Sequence, residues 1–125
     1  AQWADGLYAW SGNGEATELS NTFTMMDQAW EAAGRSEAPY RMGGFWYTLA
    51  DDGQQKLYDY VYEYLAIAGP EIATMMAETV HRSSADAVLE ALDNAEAAGC
   101  EELFMVPATA ELTELERLTE LLASR

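Results

Sequence analysis

The chain has 125 residues, of which 22 are Asp or Glu and six are Lys or Arg, for a formal charge of −16. That length holds one modest domain, and with half its residues hydrophobic, including four Trp, seven Tyr and six Met, it can build a packed core. The negative field repels phosphate backbones and anionic headgroups, excluding nucleic acid and membrane surfaces as expected partners, and no apolar run approaches the ~20 residues of a membrane span.

Ala1 to Ala4 read as the last turn of a helix, ended by Asp5-Gly6 because Gly tolerates positive φ where helices stop. Leu7-Tyr8-Ala9-Trp10 is a short apolar run typical of a buried strand, and Ser11-Gly12-Asn13-Gly14 is a loop. From Glu15 to about Ala33, the residues Leu19, Phe23, Met26, Trp30 and Ala33 fall four, three, four and three apart, a helical spacing. Gly34 ends that helix and Pro39 closes the connection. Tyr40 to Ala50 reads as a second strand, rich in aromatics, with Gly43-Gly44 as a bulge or a point of close approach.

Asp51-Asp52-Gly53 starts a helix with Leu57, Val61, Tyr64, Leu65 and Ala68 on its apolar side. Gly69-Pro70 breaks it, since Pro suits the first turn of a helix and not its interior. Ile72, Met75, Met76 and Val80 give the next helix its face. Ser83 with Asp86 resembles a capping box, leading a helix through Val88, Leu89, Leu92 and Ala95 to a stop at Gly99. Leu103 to Val106 is the third strand, ended by Pro107. Thr109 caps a last helix whose Leu112, Leu115, Leu118 and Leu122 face inward.

Strand, helix, strand, three helices, strand, helix is an α/β order, and it predicts a parallel sheet with right-handed crossovers in a single domain over 1–125. Three parallel strands do not cover both faces and both edges unaided. A helix end at residue 1 reads as a cut, with loss of an initiator Met as the alternative. The sheet then belongs to a larger barrel or is completed by association.

AQWADGLYAW, a helix end running through Asp-Gly into a strand, resembles the later part of the luciferase-like flavin-dependent monooxygenases, a family that includes enzymes using the deazaflavin F420. EAAGCEELFMVP, from Glu96 to Pro107, resembles that family's closing strand, and YRMGGFWYTLADD with the helix through Tyr64 resembles the strand before it. The resemblance spans nearly the whole chain. It implies a partial (β/α)8 TIM barrel comprising the last three strands, the sixth to the eighth, with about five strands missing. It further implies an oxidoreductase or monooxygenase using FMN or F420, to which this chain supplies the C-terminal barrel wall while being inactive alone. The implied partner is the missing N-terminal portion or, in a homo-oligomer, a second copy. A non-catalytic, self-associating module is the other reading.

Chemistry in such barrels sits at the C-terminal ends of the strands, here Trp10-Ser11, Tyr47-Thr48 and Pro107-Ala108-Thr109. Trp10, Trp46 and Tyr47 are the candidates to border a flavin ring or an apolar substrate, because each pairs a flat face with a polar handle. Packing in a core or an interface is the alternative. The family's main flavin-phosphate contacts lie on earlier strands, so none is carried onto this chain.

The remaining motifs read plainly. Gly12 to Thr17 lies between strand and helix, but Thr17 replaces the third glycine of a dinucleotide loop and Glu15 and Glu18 would oppose a pyrophosphate, so it is a turn. Glu111 and Glu114 satisfy the dipole of the last helix themselves. His81, the one histidine, reads as a helix-end residue, and acidic neighbours raise rather than lower the Cys100 thiol pKa. There is no Cys/His cluster for zinc, and the adjacent pairs Asp51-Asp52 and Glu101-Glu102 read as solvated caps and loop ends. Tyr58 and Tyr62 stack on one side of their helix, Tyr60 and Tyr64 on another, which suits either core packing or an interface. With no visible secretory signal, a soluble cytoplasmic protein is expected; a single lysine among so many acids suits high salt, with an ordinary acidic protein as the plainer and preferred account.

Overall fold

A computed structural model describes every residue, Ala1–Arg125. The element order is β1 (Gly6–Trp10), α1 (Ala16–Ala32), β2 (Tyr40–Tyr47), α2 (Gly53–Leu65), a 3-10 turn (Ala66–Ala68), α3 (Pro70–Thr79), α4 (Ala85–Ala97), β3 (Glu102–Pro107) and α5 (Leu112–Ala123). This is a mixed α/β chain with one three-stranded sheet of order β1-β2-β3. β1 pairs with β2 in parallel, from Gly6 opposite Tyr40 to Trp10 opposite Gly44. The Glu101 N–H donates to the Arg41 carbonyl and the Ala108 N–H to that of Tyr47, both at 2.8 Å, so β3 runs the same way along β2. The chain divides into two compact units, Ala1–Phe45 with Ala91–Phe104, and Trp46–Glu90 with Met105–Arg125.

In the first unit, Ala9 of β1 packs with Leu19, Phe23, Met26 and Trp30 of α1 and with Ala95 of α4. The four-three-four spacing read from the sequence is that buried stripe. Ala33 lies outside it, exposed at the C-cap of α1, just before the chain turns at Gly34 with φ 70°. Ser11 fixes the start of α1: its hydroxyl accepts from the Glu15 N–H at 2.9 Å and donates to Glu18 Oε2 at 2.6 Å. Two expectations are corrected. Ala1 to Ala4 are not helical; so short a stretch lacks the bonds that repay helix nucleation, and the Arg35 guanidinium instead donates to the carbonyls of Ala1 and Ala4. Gly43-Gly44 is no bulge, since the β1–β2 register is unbroken through Gly44. It is a point of close approach: a Cβ on Gly43 would lie 2.6 Å from Cys100 Sγ, and one on Gly44 would lie 2.0 Å from the Tyr8 hydroxyl oxygen.

In the second unit, Trp46, Leu57, Val61, Ala77, Val80 and Ala108 form the core. Of the α3 face expected from the sequence, Val80 is buried and Met76 packs against the core, while Ile72 and Met75 are exposed; the helix turns Ala73 and Ala77 inward instead. Small residues there let α2 and α3 approach closely, since interaxial distance follows the side chains at the contact. Tyr64 and Ala68 are likewise exposed, as α2 gives way to the 3-10 turn at Ala66.

β2 stops at Tyr47 rather than Ala50. The carboxylate of Glu114 takes the Thr48 hydroxyl at 3.1 Å and the Leu49 N–H, so these groups leave the ladder. The same bonds fix the rotation of α5. Glu114 and Leu118 point inward, while Leu112, Leu115 and Leu122 are exposed rather than buried. α5 begins at Leu112, and the Thr109 hydroxyl accepts from the Glu111 N–H just before it. At α4 the capping serine is Ser84, whose Oγ accepts from the Ala87 N–H at 3.3 Å; Ser83 donates to Gln54 Oε1.

Candidate functional site

In the first unit the side chains of β1 alternate, as a strand requires. Ala9 faces the α1 core, and Tyr8 and Trp10 point the other way. Tyr8 meets Trp10 at 6.2 Å between centroids, and meets Phe104 of β3 edge-on at 5.5 Å and 84°. The three rings are 38–45% exposed. They form an apolar shelf over Gly44, whose missing side chain is what lets Tyr8 lie flat against the sheet. Of these residues the sequence reading named Trp10 and missed Tyr8 and Phe104. The signal was the alternation Tyr8–Trp10 beside a glycine at the paired position.

Trp46 and Tyr47 stand together in the second unit, on opposite sides of β2, and neither is at a surface. Trp46 is 5% exposed, packed in the α2–α3 core with Tyr64 against its edge at 5.7 Å. Tyr47 is fully buried, and its hydroxyl has no hydrogen-bond partner. Burial, and second the Glu114 carboxylate, push its pKa up to about 12, so at neutral pH it is a phenol.

Glu114 lies in the first turn of the last helix, where the sequence reading put it, but it has a second role that the reading did not see. It is buried, and it ties the end of β2 to the first turn of α5. Arg82 is buried too: its carbonyl accepts from the Thr48 N–H at 3.0 Å, and its guanidinium meets Glu90 and the Ala87 carbonyl. Nothing in the local sequence marked either residue as interior.

The other motifs resolve as follows. The Ser11 hydroxyl is committed to Glu15 and Glu18, which makes the Gly12–Thr17 loop a helix start rather than a phosphate cradle. His81 is exposed, with Nδ1 3.1 Å from the Thr79 carbonyl. The Cys100 thiol is pushed up, first by burial and then by Glu101, and it contacts the Glu102 carbonyl. Tyr58 stacks on Tyr62 and Tyr60 on Tyr64, each at 6.2 Å. No group of three or more His, Cys, Asp or Glu side chains is gathered as a metal site, and no helix is long and apolar enough to cross a membrane. No protein-family model matches the sequence, and no curated protein matches it.

Proposed function

We propose that the chain is the closing part of a luciferase-like (β/α)8 barrel, its three strands standing as the sixth to eighth, in a flavin- or F420-dependent oxidoreductase. The observation that carries this reading is the aromatic shelf of Tyr8, Trp10 and Phe104. A parallel sheet is normally covered on both faces, yet here one face of β1 is covered by α1 while the other presents half-exposed rings. A barrel interior is where such a face is buried, and Trp10 lies at the C-terminal strand end where barrel chemistry is done.

The aromatic character of the shelf suits a conjugated ring and not a phosphate. The shelf is aromatic, and the loop after Trp10 and the first turn of α1 carry the carboxylates Glu15 and Glu18. FMN or F420, when bound, supplies the hydride or oxygen chemistry. Tyr8 and Trp10 would hold its ring by aromatic contact and exclude water. Trp46 and Tyr47, being interior, support the strand end and do not line the cofactor. With one wall only, the chain is inactive by itself; the missing N-terminal portion completes the barrel.

Titrating FMN and, separately, F420 into the purified chain while following cofactor fluorescence tests the reading. Saturable quenching that weakens about fivefold in Trp10→Ala is expected, the scale of one aromatic stacking contact. Absence of binding to either cofactor overturns it. A second reading, a non-catalytic module that pairs its shelf and open β1 edge with another copy, rests on the same exposed rings. It requires a colourless chain whose native mass by light scattering is twice that of the monomer or more. A well-folded monomer without cofactor binding defeats both.

A further inference from the structure

We infer that Trp46, Tyr64 and Tyr60 form a route by which an oxidising equivalent leaves the core of the second unit for its surface, a protective function separate from the cofactor shelf. All three rings belong to that unit. Trp46 is 5% exposed and packed with Leu57, Val61, Ala77 and Val80. Tyr64 meets it edge-on, with 5.7 Å between centroids and 69° between planes, and is itself 62% exposed. Tyr60 stacks on Tyr64 at 6.2 Å and 14°. Rings at these separations are in direct contact, so an electron passes from one to the next without crossing solvent. The aliphatic side chains around Trp46 give up no electron under conditions that oxidise an indole or a phenol.

Chemistry sets the direction. When an oxygen-derived radical takes one electron from Trp46, that oxidant is reduced and an indole cation radical is left in the core. Tyr64 supplies an electron that restores the indole, and its phenol proton goes to water, to which an exposed hydroxyl donates. The net change is one phenol converted to a neutral phenoxyl, one proton released and one oxidant reduced by one electron. A phenoxyl at the surface is within reach of a soluble thiol, which returns a hydrogen atom and departs as a thiyl radical. A radical held on Trp46 lacks that repair, and addition of oxygen destroys the ring. Tyr60, packed against the same core, is a second station beyond Tyr64. Tyr58 and Tyr62 stack on the other flank of the buried Leu57–Val61 stripe and lie outside the route.

Light at the red edge of the indole band, where phenols do not absorb, ejects an electron from Trp and starts the route at its inner end. The full chain is illuminated in aerated buffer, where dissolved oxygen takes up the ejected electron, and oxidised residues are mapped by peptide mass spectrometry. Tyr64 is expected to carry oxidation products although it absorbs none of the light. In Tyr64→Phe, which keeps the ring, oxidation at Trp46 should rise severalfold, while that at Trp3, Trp10 and Trp30 stays as before and serves as the internal standard. Tyr58→Phe with Tyr62→Phe should leave the Trp46 yield unchanged. Laser flash spectroscopy gives a readout that looser packing alone does not move. The tyrosyl radical signal that rises as the indole radical decays should lose amplitude in Tyr64→Phe and keep it in Tyr60→Phe, since Tyr60 lies beyond Tyr64. An unchanged Trp46 yield in Tyr64→Phe overturns the inference, and so does an equal rise in the Tyr58 and Tyr62 double variant. Undiminished tyrosyl amplitude in Tyr64→Phe overturns it as well, because the substitution would then only have opened the core around Trp46.

Discussion

Trp10 and Trp46 sit on neighbouring strands of one sheet, each near its strand's C-terminal end, and they have opposite fates. Trp46 is 5% exposed because α2 and α3 close over it with Leu57, Val61 and Ala77. Trp10 is 38% exposed, since the helical residues packed on β1, from α1 and α4, cover the side of the strand that carries Ala9. The same residue type at the same kind of position is core in one unit and surface in the other, and what decides is the helix that follows in the chain. α1 spends its apolar stripe on one face of its unit. The α2–α3 pair closes over its own unit, and it is why Trp46, an aromatic read from sequence as a lining candidate, is buried.

The largest test of this contrast is truncation of each ring. Trp46→Ala empties a closed core and should cost about 3–5 kcal/mol, enough to unfold a marginal domain. Trp10→Ala, losing a ring already part-solvated, should cost only about 1 kcal/mol in urea unfolding while weakening cofactor binding or self-association. Equal losses would mean that Trp10 is also core in the folded protein, and the shelf would lose its meaning as a site.

Next in size is the alkaline limb of stability. The buried Tyr47 phenol is held up to about 12 against an ordinary value near 10. The unfolded chain therefore ionises this residue first. Stability is unaffected below about pH 10 and falls as pH rises towards about 12, by at most about 2.7 kcal/mol. Tyr47→Phe should abolish that loss, as measured by the difference between the two proteins in urea midpoint across the range. It should not weaken the protein at pH 7, because the hydroxyl it removes has no partner to lose. A Tyr47→Phe protein weakened by a kilocalorie or more at neutral pH would show that the hydroxyl is bonded, contrary to the geometry.

The glycine beneath the shelf gives a smaller effect. Gly44→Ala places a methyl 2.0 Å from the Tyr8 hydroxyl and 3.0 Å from the Phe104 carbonyl. Overpacking of this kind costs about 1–3 kcal/mol, and the low end applies because half-exposed Tyr8 has room to swing away. Adding Tyr8→Ala should recover most of the loss, leaving the carbonyl contact as the remainder. If the double variant recovers nothing, the strain lies in the backbone and Gly44 is needed for the strand rather than for the ring.

What was legible in the sequence was whatever a single period determines. The α1 stripe, the stops at Gly34 and Gly99 and the break at Gly69-Pro70 follow from spacing and from backbone freedom, and all are present. The rotation of α5 was not legible. Its leucines fall on a helical stripe, yet a buried carboxylate at Glu114, bonded to Thr48 and Leu49 at the far end of β2, turns the stripe outward. Such a bond joins residues 65 or 66 apart, and periodicity carries no information about it. Half of the α3 face failed for a related reason: Ala73 and Ala77 are inside because a neighbouring helix comes close, whereas apolar content alone favours Ile72 and Met75; Met76 and Val80 were read correctly. For the candidate site, Trp10 was visible as an aromatic at a strand end. Its neighbours Tyr8 and Phe104 needed the sheet order to bring them together.

The smallest predicted effect compares the two groups whose proton affinity burial raises. Cys100 in the first unit and Tyr47 in the second are shifted upward by the same causes in the same order, burial and then a carboxylate. The carboxylates differ. Glu101 is exposed while Glu114 is buried, so salt screens the first and barely touches the second. Alkylation of Cys100 by iodoacetamide near pH 8.5, an ordinary thiol value, should run severalfold slower than that of a free thiol, because the thiolate is the nucleophile. Glu101→Gln or added salt should raise that rate by about twofold and no further, leaving the part due to burial. The alkaline midpoint of Tyr47 should hardly move with salt. Were Cys100 to gain its full rate in salt, its shift would come from the surface charge alone, and the first unit would be more open around β3 than its packing against Gly43 implies.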